Sequence, residues 1–338
     1  MPGGPSRRTG KLTGKVRPIL CLVVEECCIV CSSGLRFVSH MRDFRLLCVL
    51  LMKDRIDPLI EERAPWLFRN RPGTGVARAV LNRALSYDRT VEIASAFQDA
   101  PTAEIMGELG RMLARSVTVS GLNHIPRHGP ALIVANHPTG IADGIVLWHL
   151  LAPIRPDLYF FANRDILRVM PQMENAIAPV EWRMDKRSHG KTRETMAFTR
   201  DAVEAGRLGV IFPSGRLAKR RGLRLYERPW MASAAMLARR FDLPVIPVNI
   251  RARNSVLFYL FDMIHPTLRD ITLFHETLNK ARQPYVVTVG EEISPAALPA
   301  GSEDGIDLLR RATLSLGGAE DGPTVSLVRA TRRPLMRF

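Results

Sequence analysis

The chain contains 338 residues, of which 46% are hydrophobic and 24% are charged, as is usual for a protein with a full folded core. Its 48 Lys and Arg against 33 Asp and Glu leave a formal charge of +15, which favours a polyanionic partner: nucleic acid or an anionic membrane face. Only 7% of residues are aromatic, and no recognition-helix or zinc pattern is present. These absences count against a nucleic-acid-binding protein.

The first 51 residues differ from the rest of the sequence. They hold all five cysteines, an odd number that argues against a disulfide framework and for a reducing compartment. They show no clear helical or strand period, and they end just before Met52. We therefore expect residues 1–51 to be disordered or a mis-called extension, with the native start at Met52 or Met41. The cysteines are Cys21, Cys27, Cys28, Cys31 and Cys48.

The apolar runs of this N-terminal part are too short to span a bilayer. The longest, Ile19–Cys31, is interrupted by Glu25 and Glu26, whereas a spanning helix needs about 20 mainly apolar residues. The two acids and the lack of a small-residue cleavage site also argue against a signal peptide. The sequence therefore predicts a peripheral protein without a transmembrane helix.

The remaining chain predicts a helical region at 52–116, a catalytic α/β domain at 117–295, and a C-terminal helix with a basic tail at 296–338. Val80, Leu81 and Leu85 lie on one helical stripe of the first region. The predicted strands are Ser116–Ser120, Ala131–Ala135, Leu158–Ala162, Gly209–Phe212, Pro244–Ile250 and Tyr285–Val289. The predicted helices are Asp143–Leu151, Lys191–Glu204, Met231–Phe241 and Asp304–Leu316. Strands that alternate with helices indicate an α/β fold with a mixed, partly parallel sheet flanked by helices and preceded by a helical N-terminal extension.

The first chemical motif follows the predicted strand Ala131–Ala135. It runs from Asn136 to Asp143, and it places His137 where the chain leaves the sheet. In a continuous helix His137 and Asp143 would point to different faces, but Pro138 and Gly140 favour a non-helical turn that lets them meet. A histidine oriented by a carboxylate is the minimum arrangement for a general base. Taken alone, such a pair is more often a satisfied polar contact, or the Asp a helix cap, than a catalytic dyad.

This motif resembles that of the glycerolipid acyltransferases, which include the lysophosphatidate acyltransferases. In that family an Asn-His pair follows a strand and an Asp follows the His; here Asp143 comes one residue later than in the family pattern. The longer spacing resembles a sub-branch of bacterial hemolysin-like and ornithine-lipid acyltransferases. The resemblance implies a catalytic pair formed by His137 and Asp143.

A second motif, Phe212-Pro213-Ser214-Gly215-Arg216, resembles the family's Phe-Pro-Glu-Gly-Thr-Arg segment, which holds the lysolipid phosphate. Ser214 stands where the family has Glu, and Arg216 arrives one residue early. The resemblance implies that Ser214, Gly215 and Arg216 bind substrate, with a close backbone approach at Gly215 and a planar guanidinium for phosphate at Arg216. By itself the segment would be interpreted as a strand-ending turn with a solvated arginine; the other matching segments favour the binding role.

Three further segments resemble parts of the same family in the same order. Phe160–Leu167 places Arg164 where the family has a basic residue near the phosphate, and Ala178–Arg183 places Arg183 in a looser match to another arginine-bearing segment. Leu243–Val248 resembles an apolar strand that lines the site. The resemblance covers roughly residues 117–295 and does not reach the first 75 residues or the tail.

The family implies an O-acyltransferase of phospholipid biosynthesis without a metal or other cofactor. The acyl donor would be acyl-CoA or acyl carrier protein, and the acceptor a lysophospholipid, with 1-acylglycerol-3-phosphate as the first choice. A lyso-ornithine lipid or another lysolipid is the alternative acceptor, and a basic nucleic-acid-binding protein is the alternative outside the enzyme class.

The densest basic stretch runs from Arg216 to Arg228. Such runs are usually solvated loops, but this one follows the second motif directly, so it is also a candidate contact with anionic lipid. The expected partners are therefore the two substrates, an acyl carrier protein as a candidate donor, and an anionic membrane surface on its cytoplasmic face, with no nucleic acid.

Overall fold

A computed structural model of the protein describes residues 34–69, 71–181, 188–319 and 322–327. The chain divides into two compact units, Met1–Leu47 and Cys48–Phe338. The helices are α1 (Gly34–Arg63), α2 (Thr74–Ala84), α3 (Tyr87–Ala96), α4 (Thr102–Leu113), α5 (Ile141–Leu151), α6 (Asp165–Val169), α7 (His189–Glu204), α8 (Ser233–Arg240), α9 (Val256–Ile264), α10 (Pro266–Ile271), α11 (Leu273–Asn279) and α12 (Ser302–Ser315). The strands are β1 (Val117–Ser120), β2 (Ala131–Ala135), β3 (Leu158–Asn163), β4 (Ile177–Val180), β5 (Leu208–Ile211), β6 (Lys219–Arg221), β7 (Arg224–Tyr226), β8 (Val245–Arg251), β9 (Tyr285–Val289) and β10 (Val325–Ser326).

Helix α1 corrects the expectation for the N-terminal extension. Residues 34–51 are helical, so the prediction of disorder does not hold for this part of 1–51. Within the second unit, Met52, Ile56 and Leu59 form a buried stripe at helical spacing. Val49, one turn earlier, is partly buried against the same cluster, and a helix propagates along its length because each added residue adds a backbone bond. The expected helical region is otherwise present as α1 to α4.

Seven strands form the central sheet, in the order β1-β9-β8-β2-β5-β3-β4. β2 pairs in parallel with both β5 and β8, whereas β8 and β9 are antiparallel. The sheet is therefore mixed and mostly parallel, as the sequence predicted. β2 is buried along its whole length, which explains why it reads as a continuous apolar run.

Helices cover both faces of this sheet. On one face α4 and α5 pack against strand residues such as Ile133 and Phe160. On the other face α7, α8 and α12 pack against residues such as Leu132 and Tyr159. Helix α12 thus belongs to the same layered core as the sheet, and the part of the basic tail from residue 328 onward lies outside the described residues.

The basic stretch Arg216–Arg228 contains a hairpin where a solvated loop was the usual expectation. Strands β6 and β7 pair antiparallel around Gly222, and β10 adds a third strand. Gly222 has a φ of 57°, which suits the tight turn. Lys219 and Arg221 remain exposed. In the part of the chain that the structure describes, no helix is both long and apolar enough to cross a membrane.

Candidate active site

Two neighbouring strands deliver the two sequence motifs to one edge of the sheet. β2 and β5 are parallel and paired, with Val134 opposite Ile211, so the residues that follow them leave the sheet together. The ring of His137 stacks on Phe212 with ring centroids 4.2 Å apart. The backbone N–H of Ala218 donates to the carbonyl of His137 at 3.0 Å. The structure therefore brings together two segments that are far apart in the sequence.

His137 and Asp143 meet across the turn between β2 and α5. Nδ1 of His137 lies 3.0 Å from Oδ2 of Asp143; the carboxylate is fully buried, and the histidine side chain is 19% exposed. Oδ2 of Asp143 does not lie along the direction of the Nδ1–H bond of His137. The two atoms are therefore close enough for an ion pair, but they are not aligned for a hydrogen bond. Gly140 reverses the chain between them with a φ of 99°. The expectation that this turn lets the pair meet is confirmed.

Asp143 also caps the helix that it opens. Its Oδ2 accepts the backbone N–H groups of Thr139 at 2.9 Å and Gly140 at 3.0 Å. Its Oδ1 accepts the hydroxyl of Thr139 at 2.5 Å. A buried carboxylate needs such donors to offset the loss of water. Both readings of Asp143 therefore hold: it is a helix cap and a partner of His137.

A buried tyrosine extends this group of hydrogen bonds. The hydroxyl of Tyr285, the first residue of β9, lies 2.6 Å from Oγ1 of Thr139. Burial, followed by the nearby charge of Asp143, raises the pKa of Tyr285 well above 10.0. Sequence reasoning missed Tyr285 because its contact is 146 residues away in the chain, and a tyrosine at the start of a strand carries no local signal.

Asn136 fixes the end of β2 from which His137 emerges. Its side-chain amide donates to the carbonyl of Ile250 at 2.9 Å, and its side-chain oxygen accepts the N–H of Ile250 at 2.7 Å. Asn136 is fully buried. The two bonds tie β2 to β8 where the ladder between them ends, so the Asn of the Asn-His motif has a supporting role.

Glu227 is a second buried acid beside His137 that the sequence did not indicate. Its Oε2 accepts the backbone N–H of His137 at 3.4 Å, and its Oε1 accepts the indole N–H of Trp230 at 3.0 Å. Burial raises the pKa of Glu227, offset in part by the Trp230 hydrogen bond and the charge of His137. The segment after the hairpin thus supplies a carboxyl group behind the catalytic turn.

We expect Glu227→Gln to stabilise the protein at neutral pH, because the loss of a buried charge outweighs the loss of the long 3.4 Å bond from the His137 N–H, and the amide oxygen still accepts the Trp230 N–H. Below the ordinary pKa of 4.5 both folded and unfolded states hold the proton. As pH rises past that value the unfolded state ionises first, so wild-type stability falls until the pH exceeds the raised folded pKa. Thermal melts at about pH 4 and about pH 8 should show that Glu227→Gln melts at a higher temperature than the wild type, and that this difference is larger at about pH 8. An equal difference in melting temperature at the two pH values would contradict a raised pKa for Glu227.

The predicted substrate-binding residues of the second motif separate into two groups. Ser214 is buried, and its hydroxyl donates to the carbonyl of Arg216 at 2.8 Å, so it holds the turn and does not line the cavity described below. Gly215, with a φ of 58°, and Arg216 are exposed and do line it. The structure thus places the Ser214 side chain in the turn and Gly215 and Arg216 at the cavity, and substrate binding by these three residues stays a prediction.

The structure does not place Arg164 at this site. The guanidinium of Arg164 pairs with Glu194 of α7, and Arg164 does not line the cavity. Arg183 lies outside the described residues. Arg228, which the sequence analysis noted only as part of the basic stretch, lines the cavity instead, and its Nε donates to the carbonyl of Leu217. Burial, then the charges of Arg216 and Arg269, lowers the pKa of Arg228, and all three arginines line the cavity.

His137 and Arg216 line a large cavity between the sheet and its helices. Its volume is about 1530 Å³, above the roughly 300–1,000 Å³ of most small-molecule sites. Much of its wall is apolar. Side chains of α4, α5 and β3 that contribute to this wall are Ile105, Met106, Leu109, Ile145, Trp148 and Phe160. Such a wall suits a long hydrocarbon chain.

Comparison with known proteins agrees with this site. Residues 116–251 match the family model described as Acyltransferase. The chain is 21% identical to the lyso-glycine lipid O-acyltransferase of Phocaeicola vulgatus, over 54% of this chain and 65% of that protein. It is 22% identical to the enzyme of the same name from Bacteroides thetaiotaomicron, over 60% and 72%. The segment at 116–251 therefore matches the acyltransferase family, and the two named relatives are lysolipid O-acyltransferases.

Two further comparisons differ in how much of each chain they cover. An uncharacterized protein of Mycobacterium tuberculosis is 30% identical over 46% of this chain and 41% of its own length. The chain thus spans about two thirds of one lyso-glycine lipid O-acyltransferase and less than half of the mycobacterial protein. The crystal structure of the 1-acyl-sn-glycerophosphate acyltransferase PlsC from Thermotoga maritima aligns with a TM-score of 0.41 at 12% identity, covering 83% of this chain and 98% of that one.

Proposed function

We propose that this protein transfers a fatty acyl group from a thioester donor to a free hydroxyl group of a lysolipid. His137 is the general base, and Asp143 orients it. The observation that supports this most directly is the contact of 3.0 Å between the two side chains, made on the wall of a large apolar cavity. The acyltransferase match at 116–251 contains both residues.

The geometry suggests how the proton moves. The charge of Asp143 beside Nδ1 favours the tautomer with its proton on Nδ1, which leaves the lone pair of Nε2 free. Nε2 takes the proton of the acceptor hydroxyl as the oxygen attacks the thioester carbonyl. The new C–O bond forms, the C–S bond breaks, and the departing thiolate takes the proton back from the ring. The thioester is already activated, so the exchange needs no covalent acyl-enzyme.

The arginines beside His137 are the proposed site for the acceptor's anionic group. Arg216 and Arg228 line the cavity that His137 also lines, and the lowered pKa of Arg228 reflects burial and the cations around it. A bound anion would relieve that repulsion and pair with planar guanidinium groups. Arg228 thus takes the place that the sequence analysis gave to Arg164.

Two acceptor classes are proposed for this site. The first is 1-acylglycerol-3-phosphate, because a phosphate suits neighbouring arginines. The second is an amino-acid lysolipid, such as a lyso-ornithine or lyso-glycine lipid. The names of the Phocaeicola and Bacteroides relatives favour this second class, and so does Ser214 where the family has Glu.

An acceptor panel separates these classes. Purified protein is incubated with palmitoyl-CoA or palmitoyl carrier protein as the donor. The acceptors, tested in turn, are lysophosphatidate, lyso-glycine lipid and lyso-ornithine lipid, and mass spectrometry identifies the products. A diacyl product with one acceptor identifies the substrate class, and the better donor identifies the thioester. No acylated product with any lysolipid and either donor would overturn the proposal.

We further propose that the protein works at an anionic membrane surface. Two exposed features support this: the hairpin β6–β7, with Lys219, Arg221 and Arg224, and helix α9. Apolar side chains of α9 that stand at least partly in solvent are Val256, Leu260, Met263 and Ile264. An apolar face beside basic residues is typical of a helix that lies in the lipid interface. The cytoplasmic side of the membrane stays a prediction.

Neutralising Lys219, Arg220 and Arg221 to Gln should weaken binding to vesicles of anionic lipid by about 100-fold at low salt, since each cation near such a surface contributes about 1 kcal/mol. Co-sedimentation with vesicles measures the change. The control replaces Arg127, Arg200 and Arg311 with Gln, an equal loss of charge from exposed residues elsewhere. If the two triple variants bind alike, the hairpin has no specific role in adsorption.

A further inference from the structure

We propose that Thr139 and Tyr285 are positioning residues, which hold the Asp143 carboxylate in the orientation that serves His137. The inference rests on the proposed function and deepens it. Its basis is a continuous set of contacts: Tyr285 to Thr139 at 2.6 Å, Thr139 to Asp143 at 2.5 Å, and Asp143 to His137 at 3.0 Å.

Hydrogen counting fixes the direction of these bonds. An ionised carboxylate can only accept, so the single hydroxyl hydrogen of Thr139 points to Oδ1 of Asp143. The oxygen of Thr139 is then the acceptor of its other contact, and the hydroxyl of Tyr285 must be the donor. Each hydroxyl therefore has one possible orientation, and every bond leads toward the carboxylate.

Tyr285 is held firmly in place at the start of the contacts that lead through Thr139 to Asp143. It is 1% exposed, and its backbone N–H donates to the carbonyl of Ser116 at 2.9 Å, which ties it to the adjoining strand. Because burial and the charge of Asp143 raise its pKa well above 10.0, the hydroxyl keeps its hydrogen at any working pH. A rigid strand thus presents a permanent donor to Thr139.

The two carboxylate oxygens of Asp143 have different hydrogen-bond partners. Oδ2 faces the backbone N–H groups that cap α5 and also Nδ1 of His137. A helix cap needs only Oδ2. The hydrogen bond from the Thr139 hydroxyl goes to Oδ1, so it does not contribute to the cap of α5. It does resist rotation of the carboxylate, and such a rotation would move Oδ2 away from the His137 ring. This division separates a role in orienting His137 from a role in folding alone.

The test is a double-mutant cycle on kcat with Thr139→Val, Tyr285→Phe and the double variant. Thr139→Val should lower kcat on the order of 10- to 100-fold with little change in KM, because it removes a hydrogen bond to a charged group and leaves substrate contacts in place. Tyr285→Phe should have a smaller effect. The double variant should be no worse than Thr139→Val, because Tyr285 acts only through Thr139. Thr139→Ser keeps the hydroxyl and should restore kcat.

Matched controls come from the same protein. Thr199 is a fully buried threonine whose hydroxyl bonds to the backbone of its own helix, and Tyr159 is a fully buried tyrosine outside the cavity. Thr199→Val and Tyr159→Phe should leave kcat near that of the wild type. Nitrogen-15 NMR of the His137 ring gives an independent readout, since Thr139→Val should reduce the population with the proton on Nδ1.

The outcomes separate this inference from the proposed function. If His137→Ala is inactive while Thr139→Val and Tyr285→Phe behave like their controls, the positioning role is wrong and the function stands. Additive losses in the double variant, or loss through KM alone, would also overturn it. Full turnover by His137→Ala would overturn both the function and the inference.

Discussion

Replacing His137 with alanine should abolish acyl transfer in a protein that still folds. A positioned general base contributes about 10²–10⁴-fold to rate, and the loss here is expected at the upper end or beyond, because the lysolipid hydroxyl has no other assigned proton acceptor. The ring stacks on Phe212 but stays 19% exposed, so its removal should cost little packing. Turnover of acyl-CoA with lysolipid measures the effect.

Two controls make the His137 result interpretable. Circular dichroism and vesicle binding show that the variant keeps its fold and its membrane contact. His124→Ala removes a half-buried histidine whose Nδ1 contacts the carbonyl of Val289, away from the cavity lining, and should leave turnover unchanged. Near-normal turnover by His137→Ala would remove the basis for the proposed mechanism.

Asp143→Asn should lower kcat by about 10²–10⁴-fold while the melting temperature changes little. The amide oxygen can still accept the backbone N–H groups of Thr139 and Gly140, so the cap on α5 survives. The negative charge is lost, however, and the imidazolium that forms as His137 takes the proton is no longer stabilised. Parallel measurements of kcat and thermal melting separate the two roles of Asp143.

The control for Asp143→Asn is Asp304→Asn, which alters an acid in the first turn of α12 that lies outside the cavity lining. Asp304→Asn should leave kcat unchanged. If Asp143→Asn also keeps turnover within a few-fold of the wild type, then Asp143 serves the helix alone, and another group must orient His137.

The sequence predicted most of the central sheet because strands such as β2 and β5 are buried apolar runs, while β9 alternates between buried and partly buried residues. β2 and β9 begin and end at the predicted residues. Strand β4 (Ile177–Val180) was missed because it contains Pro179, and proline usually argues against a strand. β4 lies at the edge of the sheet, where the missing N–H of proline is tolerated.

The candidate site was predictable only where its residues are close in the chain. The turn between β2 and α5 is local, so the meeting of His137 and Asp143 could be inferred from Pro138 and Gly140. Tyr285 and Glu227 reach the same turn from 146 and 90 residues away, and their contacts depend on strand order and on the hairpin. No local pattern encodes such contacts.

Charged residues were the least predictable part of the site. Arg164 was expected to bind an anion, but its guanidinium forms an ion pair with Glu194 on the neighbouring helix. Arg228 had no motif to mark it, yet it lines the cavity with Arg216. A long flexible side chain can pair with whatever acid its neighbours present, so its role depends on tertiary packing that the motif does not contain.

The central claim is that His137 drives transfer of an acyl group from a thioester to a lysolipid hydroxyl. The most direct test counts thiol released and ester formed together, with the wild type and His137→Ala side by side on the preferred acceptor of the panel. We expect one ester for each thiol released by the wild type and neither product above background with His137→Ala. Thiol release that yields free fatty acid and does not depend on the lysolipid would contradict it, as would ester formation at the wild-type rate by His137→Ala.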